Sequence, residues 1–194
     1  MKDWDDLLKP DSRNEHFVKL DPESGETHPW QHKDLYDSLN EISLNVGVPK
    51  AVRKLFDRSR NLIVFSWFVY DFTTPALTQV YAAVEMALRE KNSQEGIKLQ
   101  GRPGLKYLMK NAIESGWLLD GGFPHLYRHV ADPGWPFAKP QEYDPQGTVY
   151  CQVIAKSLPE LRNDLAHGSN FLVTPGSALG PLEVSAGIIN QLFP

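Results

Sequence analysis

Apolar side chains recur at the period of an α-helix in the segment that follows Thr74 and Pro75. Thr74 can cap a helix, and Pro75 suits a first turn because proline lacks an amide hydrogen that a helix start leaves unused. The apolar side chains that share one face are Leu77, Val80, Tyr81, Val84, Ala87 and Leu88. A stripe of this kind must pack against other elements, so the segment predicts a long helix within a helical bundle.

Similar spacings predict further helices on both sides of this segment. They are expected from Pro49, from about Gly104 to Ser115, from Val149 through Leu165 to Gly168, and from Leu179 to Phe193. Ser157 and Glu160 have the spacing of a capping box with Pro159 near the start, which predicts a new or sharply kinked helix there. Four to five helices favour an all-α, up-and-down bundle.

The chain divides into an N-terminal arm and a bundle. Residues 1–46 are polar, without a sustained hydrophobic period, and predict an arm with at most a short helix near Leu35 to Ile42. Residues 47–194 are assigned to the bundle. Residues 116–147 contain so many Gly and Pro residues that they predict an inserted loop. A chain of 194 residues fits one core with these additions.

The charge pattern limits how the chain could attract nucleic acid. Its formal net charge is -4, so RNA binding would have to depend on a local basic site. Five cations fall within eleven residues and, at helical spacing, several share a face: Lys50, Arg53, Lys54, Arg58 and Arg60. The simpler interpretation of this cluster is a solvated helix face.

The expected environment of the chain is the cytoplasm. The single cysteine, Cys151, cannot form an intramolecular disulfide and is interpreted as a small buried residue. The N-terminal residues lack the apolar run of a signal peptide, and the longest uncharged apolar run, 62–70, is too short to span a bilayer. We therefore expect no membrane association.

Three polar residues near the end of the helix before Gly168 are the candidate catalytic residues. Asn163 and His167 stack at i, i+4 on one helical face, and the long side chain of Arg162 can swing across to that face. A histidine can transfer protons near neutral pH, and an arginine fork fits phosphate oxygens. The group therefore suits chemistry at a phosphodiester.

The segment Arg162-Asn163-Asp-Leu-Ala-His167 resembles the HEPN superfamily motif, in which an Arg and a polar residue precede a His within a helical bundle. The stretch from Tyr81 to Arg89 is similar to an earlier helix of such proteins, and the resemblance covers roughly residues 48–194. It implies a HEPN-type fold and a metal-independent endoribonuclease that leaves 2′,3′-cyclic phosphate ends. It also implies RNA as substrate and a homodimer with a composite active site.

A toxin, stress or phage-defence role, with a possible antitoxin or other protein partner, follows from the resemblance alone. The rival hypothesis is a non-catalytic HEPN-like module that binds a nucleotide or protein partner. An open basic cleft around Arg162 and His167 would favour the enzyme, and packing against a carboxylate would favour the rival. In a third, purely structural interpretation, Arg162 only pairs with a carboxylate and His167 only caps a helix end.

Glu85 is a supporting candidate with two possible partners. It could contact Arg162 from a neighbouring helix, or it could be an exposed i, i+4 partner of Arg89. Metal ions and cofactors are not expected. The two pairs of histidines at i, i+4, His28 with His32 and His125 with His129, lack the further ligands of a zinc pattern and are interpreted as surface-loop residues.

Overall fold

A computed structural model describes residues 2–21, 23–123, 125, 144–167 and 173–194. Its helices are α1 (His32–Glu41), α2 (Lys50–Phe65), α3 (Thr73–Gln94), α4 (Leu105–Glu114), α5 (Val149–Ala166) and α6 (Leu179–Leu192). Two short antiparallel strands, β1 (Val18–Leu20) and β2 (Thr27–Pro29), lie before α1. The described part is thus mostly helical, which confirms the all-α class but not a family within it.

Helix α3 is the central element of the core. Helices α2, α4, α5 and α6 all pack on it, and every residue of the predicted apolar stripe from Leu77 to Leu88 is buried. The helix begins at Thr73, one residue before the expected cap Thr74, and Pro75 lies in its first turn as predicted. The side chain of Glu85, on the same helix, is partly buried.

Helix α4 ends at the position that Gly116 predicted. Gly116 has a φ of 70°, its N–H donates to Ile113 O at 3.0 Å, and the Trp117 N–H donates to Ala112 O at 2.9 Å. Glycine adopts this left-handed conformation without the steric cost that a side chain brings. The bonds satisfy carbonyl groups that the helix end would otherwise leave unpaired.

The prediction that a new helix begins near Ser157 is wrong. Helix α5 starts at Val149 and continues through Pro159, which is buried. The Ser157 hydroxyl does not cap a helix but donates to Val153 O at 3.1 Å. The cap comes from Asp120, whose carboxylate accepts the N–H groups of Tyr150 and Cys151 at 3.1 and 3.0 Å. Pro159 costs one backbone hydrogen bond, which its packing can offset.

The N-terminal residues lie against the bundle. The predicted short helix is confirmed as α1, whose Leu35 and Leu39 are buried in the same core cluster as the bundle helices. The Asp11 N–H and the Asn14 side chain both donate to Trp67 O, at 2.9 and 2.8 Å. The two strands were not predicted, because they are short and fully exposed.

Most of the predicted inserted loop, residues 116–147, lies outside the described residues. Its described parts include a short 3₁₀ turn at Asp120–Gly122, which holds the capping carboxylate of α5. Among the helices that the structure describes, none has the length and apolarity to cross a membrane.

Candidate functional site

The three motif residues lie at the C-terminal end of α5, on its exposed part. The first turns of α5 are anchored in the core by Cys151, Ile154 and Leu158. From Leu161 onward the burial decreases, and Arg162, Asn163 and His167 are all exposed. The motif is therefore carried on a helix that is fixed at one end and accessible at the other.

The Glu85 carboxylate lies between two guanidinium groups. Its Oε1 accepts from Arg89 Nη2 at 2.7 Å and from Arg89 Nε at 3.2 Å, while its Oε2 is 3.7 Å from Arg162 Nη2. The two alternatives for Glu85 therefore occur together. One carboxylate between two arginines leaves one positive charge uncompensated at this point of the surface.

Arg89 links the same group to the segment before α4. Its Nη2 donates to Pro103 O at 2.6 Å. The Glu85 side chain is 19% exposed and that of Arg89 is 28% exposed, so both are partly shielded from water. Sequence reasoning considered Arg89 only as an alternative partner for Glu85, and no local pattern pointed to the Pro103 contact.

Arg162 reaches from Glu85 to Asn163. Its side chain is 45% exposed, and Nη1 donates to Asn163 Oδ1 at 3.2 Å while Nη2 approaches Glu85. The long side chain thus spans two helical faces, as the sequence predicted. In this arrangement the guanidinium contacts both Glu85 and Asn163 and remains partly exposed.

His167 follows the last residue of α5 and ends the helix. Its backbone N–H donates to Asn163 O at 2.9 Å. Its imidazole is exposed and makes no hydrogen bond or ion pair with the described part of the chain. Gly168, the predicted end of the helix, lies outside the described residues.

Two surface cavities lie away from the motif. The larger, about 680 Å³, is lined mainly by α6 and by the end of α1 with the segment that follows it, and it carries the carboxylates of Glu41 and Glu183. The other, about 470 Å³, is an open groove on α2. The groove carries most of the basic cluster that the sequence singled out. Neither cavity includes a motif residue.

The expectation that the paired histidines lie in surface loops is wrong for two of them, since His28 lies in β2 and His32 begins α1. The His32 imidazole donates through Nε2 to Val64 O at 3.1 Å and stacks on Trp67. His125 Nε2 lies 2.7 Å from the Tyr150 hydroxyl, and His129 lies outside the described residues. Among the described residues, no three His, Cys, Asp or Glu side chains form a group that could hold a metal ion.

Cys151 is a buried thiol, as predicted. Burial, with the neighbouring Asp120 carboxylate adding to it, raises the pKa of this thiol to about 12. Since the thiolate is the nucleophilic form, the side chain is inert near neutral pH.

Comparison with known proteins gave no match to a family model, to a curated protein or to a solved structure.

Proposed function

We propose that this chain is a HEPN-type, metal-independent endoribonuclease whose catalytic residues are Arg162, Asn163 and His167. The observation that carries the proposal is that Arg162, whose side chain is 45% exposed, and the exposed His167 lie on the same helix end. This combines a phosphate-binding cation with a proton-transfer group on a rigid support.

The chemistry is an attack of the RNA 2′-hydroxyl on the adjacent phosphorus. The new bond joins the 2′-oxygen to phosphorus, and the bond from phosphorus to the 5′-oxygen breaks. A base accepts the 2′-hydroxyl proton, an acid protonates the leaving 5′-oxygen, and the products are a 2′,3′-cyclic phosphate and a 5′-hydroxyl. His167 fills one proton-transfer role, and Arg162 stabilises the charge on the phosphoryl oxygens.

A homodimer would supply the second histidine. At 100° per residue, His167 falls on the same face of α5 as Val149 and Val153, which are 72% and 57% exposed. Exposed apolar side chains on this face suit a contact with a second copy. A two-fold axis that passes close to the C-terminal end of α5 would place the two His167 side chains at one groove.

The setting of the activity is proposed from the resemblance alone. It is a cytoplasmic toxin, stress or phage-defence function, with an antitoxin or another protein as a possible partner. RNA is the substrate, and no metal or cofactor takes part in the proposed step.

A second candidate function is a non-catalytic HEPN-like module that binds a nucleotide or protein partner. The ion pair between Glu85 and Arg162 favours it, because it occupies part of the guanidinium that would otherwise meet RNA. The exposed fraction of Arg162 and the exposed imidazole of His167 favour the enzyme. The two candidates differ in whether RNA is cut.

The test is incubation of purified protein with structured and unstructured RNAs in EDTA. We expect wild type and His28→Ala to cleave at equal rates and His167→Ala to be slower by at least about 100-fold, since proton transfer contributes at least that much. His28 is a matched control because it is exposed and lies on β2, away from α5. Absence of cleavage by folded wild type across diverse RNAs would favour the binding module.

A further inference from the structure

The outer face of α2 combines uncompensated positive charge with an exposed aromatic ring. The groove on this face is lined by Lys50, Arg53, Lys54, Asp57, Arg58 and Asn61. Its single carboxylate, Asp57, is 3.6 Å from Arg60, a cation outside the lining. Local charge is therefore strongly positive on a chain whose formal net charge is -4.

The fold does not neutralise these cations. Arg53 donates to the Leu44 and Asn45 carbonyls, and Arg58 donates to the Gln79 amide oxygen, so both bond to neutral groups. Within the part of the chain that the structure describes, Lys50 and Lys54 have no hydrogen-bond or ion-pair partner. These side chains can therefore meet an external anion without first breaking an ion pair.

The position of the cations within α2 is unfavourable for the helix itself. Lys50 and Arg53 occupy the first turn, which contains no acidic residue. A helix N-terminus carries partial positive charge and is stabilised by acidic side chains, so cations there reduce stability. An anion bound along this turn would be attracted by the side chains and by the helix terminus together.

The shape of the surface favours a strand of nucleic acid. Lys50, Lys54 and Arg58 follow each other at i, i+4 and i+8, and Phe65, 53% exposed, continues the same face at the end of the helix. A row of cations can follow successive phosphates, and an exposed ring can stack on a base. A membrane-surface helix would direct its apolar face to lipid, whereas Val52, Phe56 and Ile63 are buried in the core.

We propose that the outer face of α2 binds single-stranded RNA, with Lys50, Lys54 and Arg58 on the phosphates and Phe65 stacked on a base. The choice of RNA rests on the proposed ribonuclease function, to which this surface would add substrate affinity outside the cleavage site. Helices α2 and α5 both pack on α3. An RNA strand bound to α2 is therefore held on the same helical core as the motif residues of α5.

Binding can be tested without cleavage by using a labelled single-stranded 2′-O-methyl oligoribonucleotide, which lacks the attacking hydroxyl. The groove variant is Lys50→Gln, Lys54→Gln and Arg58→Gln. The control is Lys9→Gln, Lys98→Gln and Lys110→Gln, which changes net charge equally at exposed positions outside α2. Circular dichroism and thermal unfolding check that each protein is folded.

We expect the groove variant to bind about tenfold more weakly or worse than the control at moderate salt. The slope of log affinity against log salt should also fall in magnitude by about 2, because each lost phosphate contact on a single strand removes about 0.7. Phe65→Leu should weaken binding about fivefold or more without changing the slope, since stacking is not ionic.

Equal affinities of the groove variant and the control would overturn the proposal, as would absence of binding by wild type. Binding of wild type to anionic vesicles in place of RNA would also overturn it. If wild type binds the oligonucleotide through α2 but cuts no natural RNA, the ribonuclease fails and this surface stands. If natural RNA is cut while the groove variant binds normally, the surface fails and the ribonuclease stands.

Discussion

The carboxylate of Glu85 on α3 approaches the guanidinium of Arg162 on α5, with 3.7 Å between Oε2 and Nη2. The same carboxylate accepts from Arg89, so the ion pair within α3 is extended to the motif helix. Side chains held from two sides lose less freedom when a ligand binds. Through these contacts, Glu85 can hold the side chain of Arg162 in one orientation relative to the core.

Removal of the Glu85 carboxylate should lower the stability of the fold. Glu85→Ala leaves two partly shielded guanidinium groups without their carboxylate, and we expect the free energy of unfolding to fall by about 1–2 kcal/mol. Urea unfolding measures the change. The control is Glu90→Ala on the same helix, at an exposed position, where we expect less than about 0.5 kcal/mol. Equal losses in both variants would mean that the Glu85 contacts contribute nothing specific.

The first turn of α2 should become more stable when its charge is reversed. Lys50→Glu places an acid at the positive end of the helix, and we expect a gain of about 0.3–1 kcal/mol in the free energy of unfolding. Thermal unfolding at low salt checks this. Lys98→Glu changes the net charge equally but lies between α3 and α4, so it should give no gain. A loss of stability in Lys50→Glu would contradict the account of α2.

Helix positions were predictable from the sequence where the signals are local. Gly116 ends α4 and Leu179 begins α6, as expected from the chemistry of glycine and from apolar spacing, and α2 begins at Lys50, one residue after the expected Pro49. The central stripe of α3 was predicted for the same reason: a helical period is visible within one segment.

Contacts between distant segments were not predictable in the same way. A new helix start near Ser157 was predicted wrongly because the cap of α5, Asp120, lies in a loop far back in the sequence, while Ser157 and Pro159 imitate a local helix start. At the site, the motif residues were identified from their spacing. The simultaneous contact of Glu85 with Arg89 and Arg162 depends on how α3 and α5 pack, which spacing alone does not specify.

The anchoring of the N-terminal residues should depend on pH through Asp11. Hydrogen bonds from the Arg13 side chain hold the pKa of the Asp11 carboxyl at about 2, below its usual value of 3.8. A carboxyl with a lowered folded-state pKa stabilises the fold above pH 4, and this stabilisation is lost as pH falls towards 2. We expect Asp11→Asn to cost about 1 kcal/mol at pH 7, a modest value because Arg13 is exposed to solvent.

Urea unfolding of wild type and Asp11→Asn at several pH values tests this. The difference between the two proteins isolates Asp11, since other acidic groups titrate in both. We expect the difference to be constant above about pH 5 and to shrink between about pH 4 and pH 2. A difference that does not change over that range would contradict the assigned ion pair.

A composite active site should be detectable in the cleavage rate when wild-type and variant subunits are mixed. If cleavage needs His167 from both copies, an increasing excess of His167→Ala added to a fixed amount of wild type should convert active dimers to inactive mixed dimers. The initial rate should fall with each addition after subunits have exchanged. Adding His28→Ala should raise the rate, since that protein remains active. A rate that stays constant as His167→Ala is added would mean that each chain acts alone.

The most direct measurement of the central claim is the identity of the RNA ends produced in EDTA, with a second substrate that carries one 2′-deoxy nucleotide at the mapped cleavage site. Wild type should leave a 2′,3′-cyclic phosphate and a 5′-hydroxyl, and the 2′-deoxy substitution should stop cleavage at that site. A 5′-phosphate with a 3′-hydroxyl, unchanged cutting at the 2′-deoxy position, or equal cutting by His167→Ala would contradict the assignment of this chemistry to the end of α5.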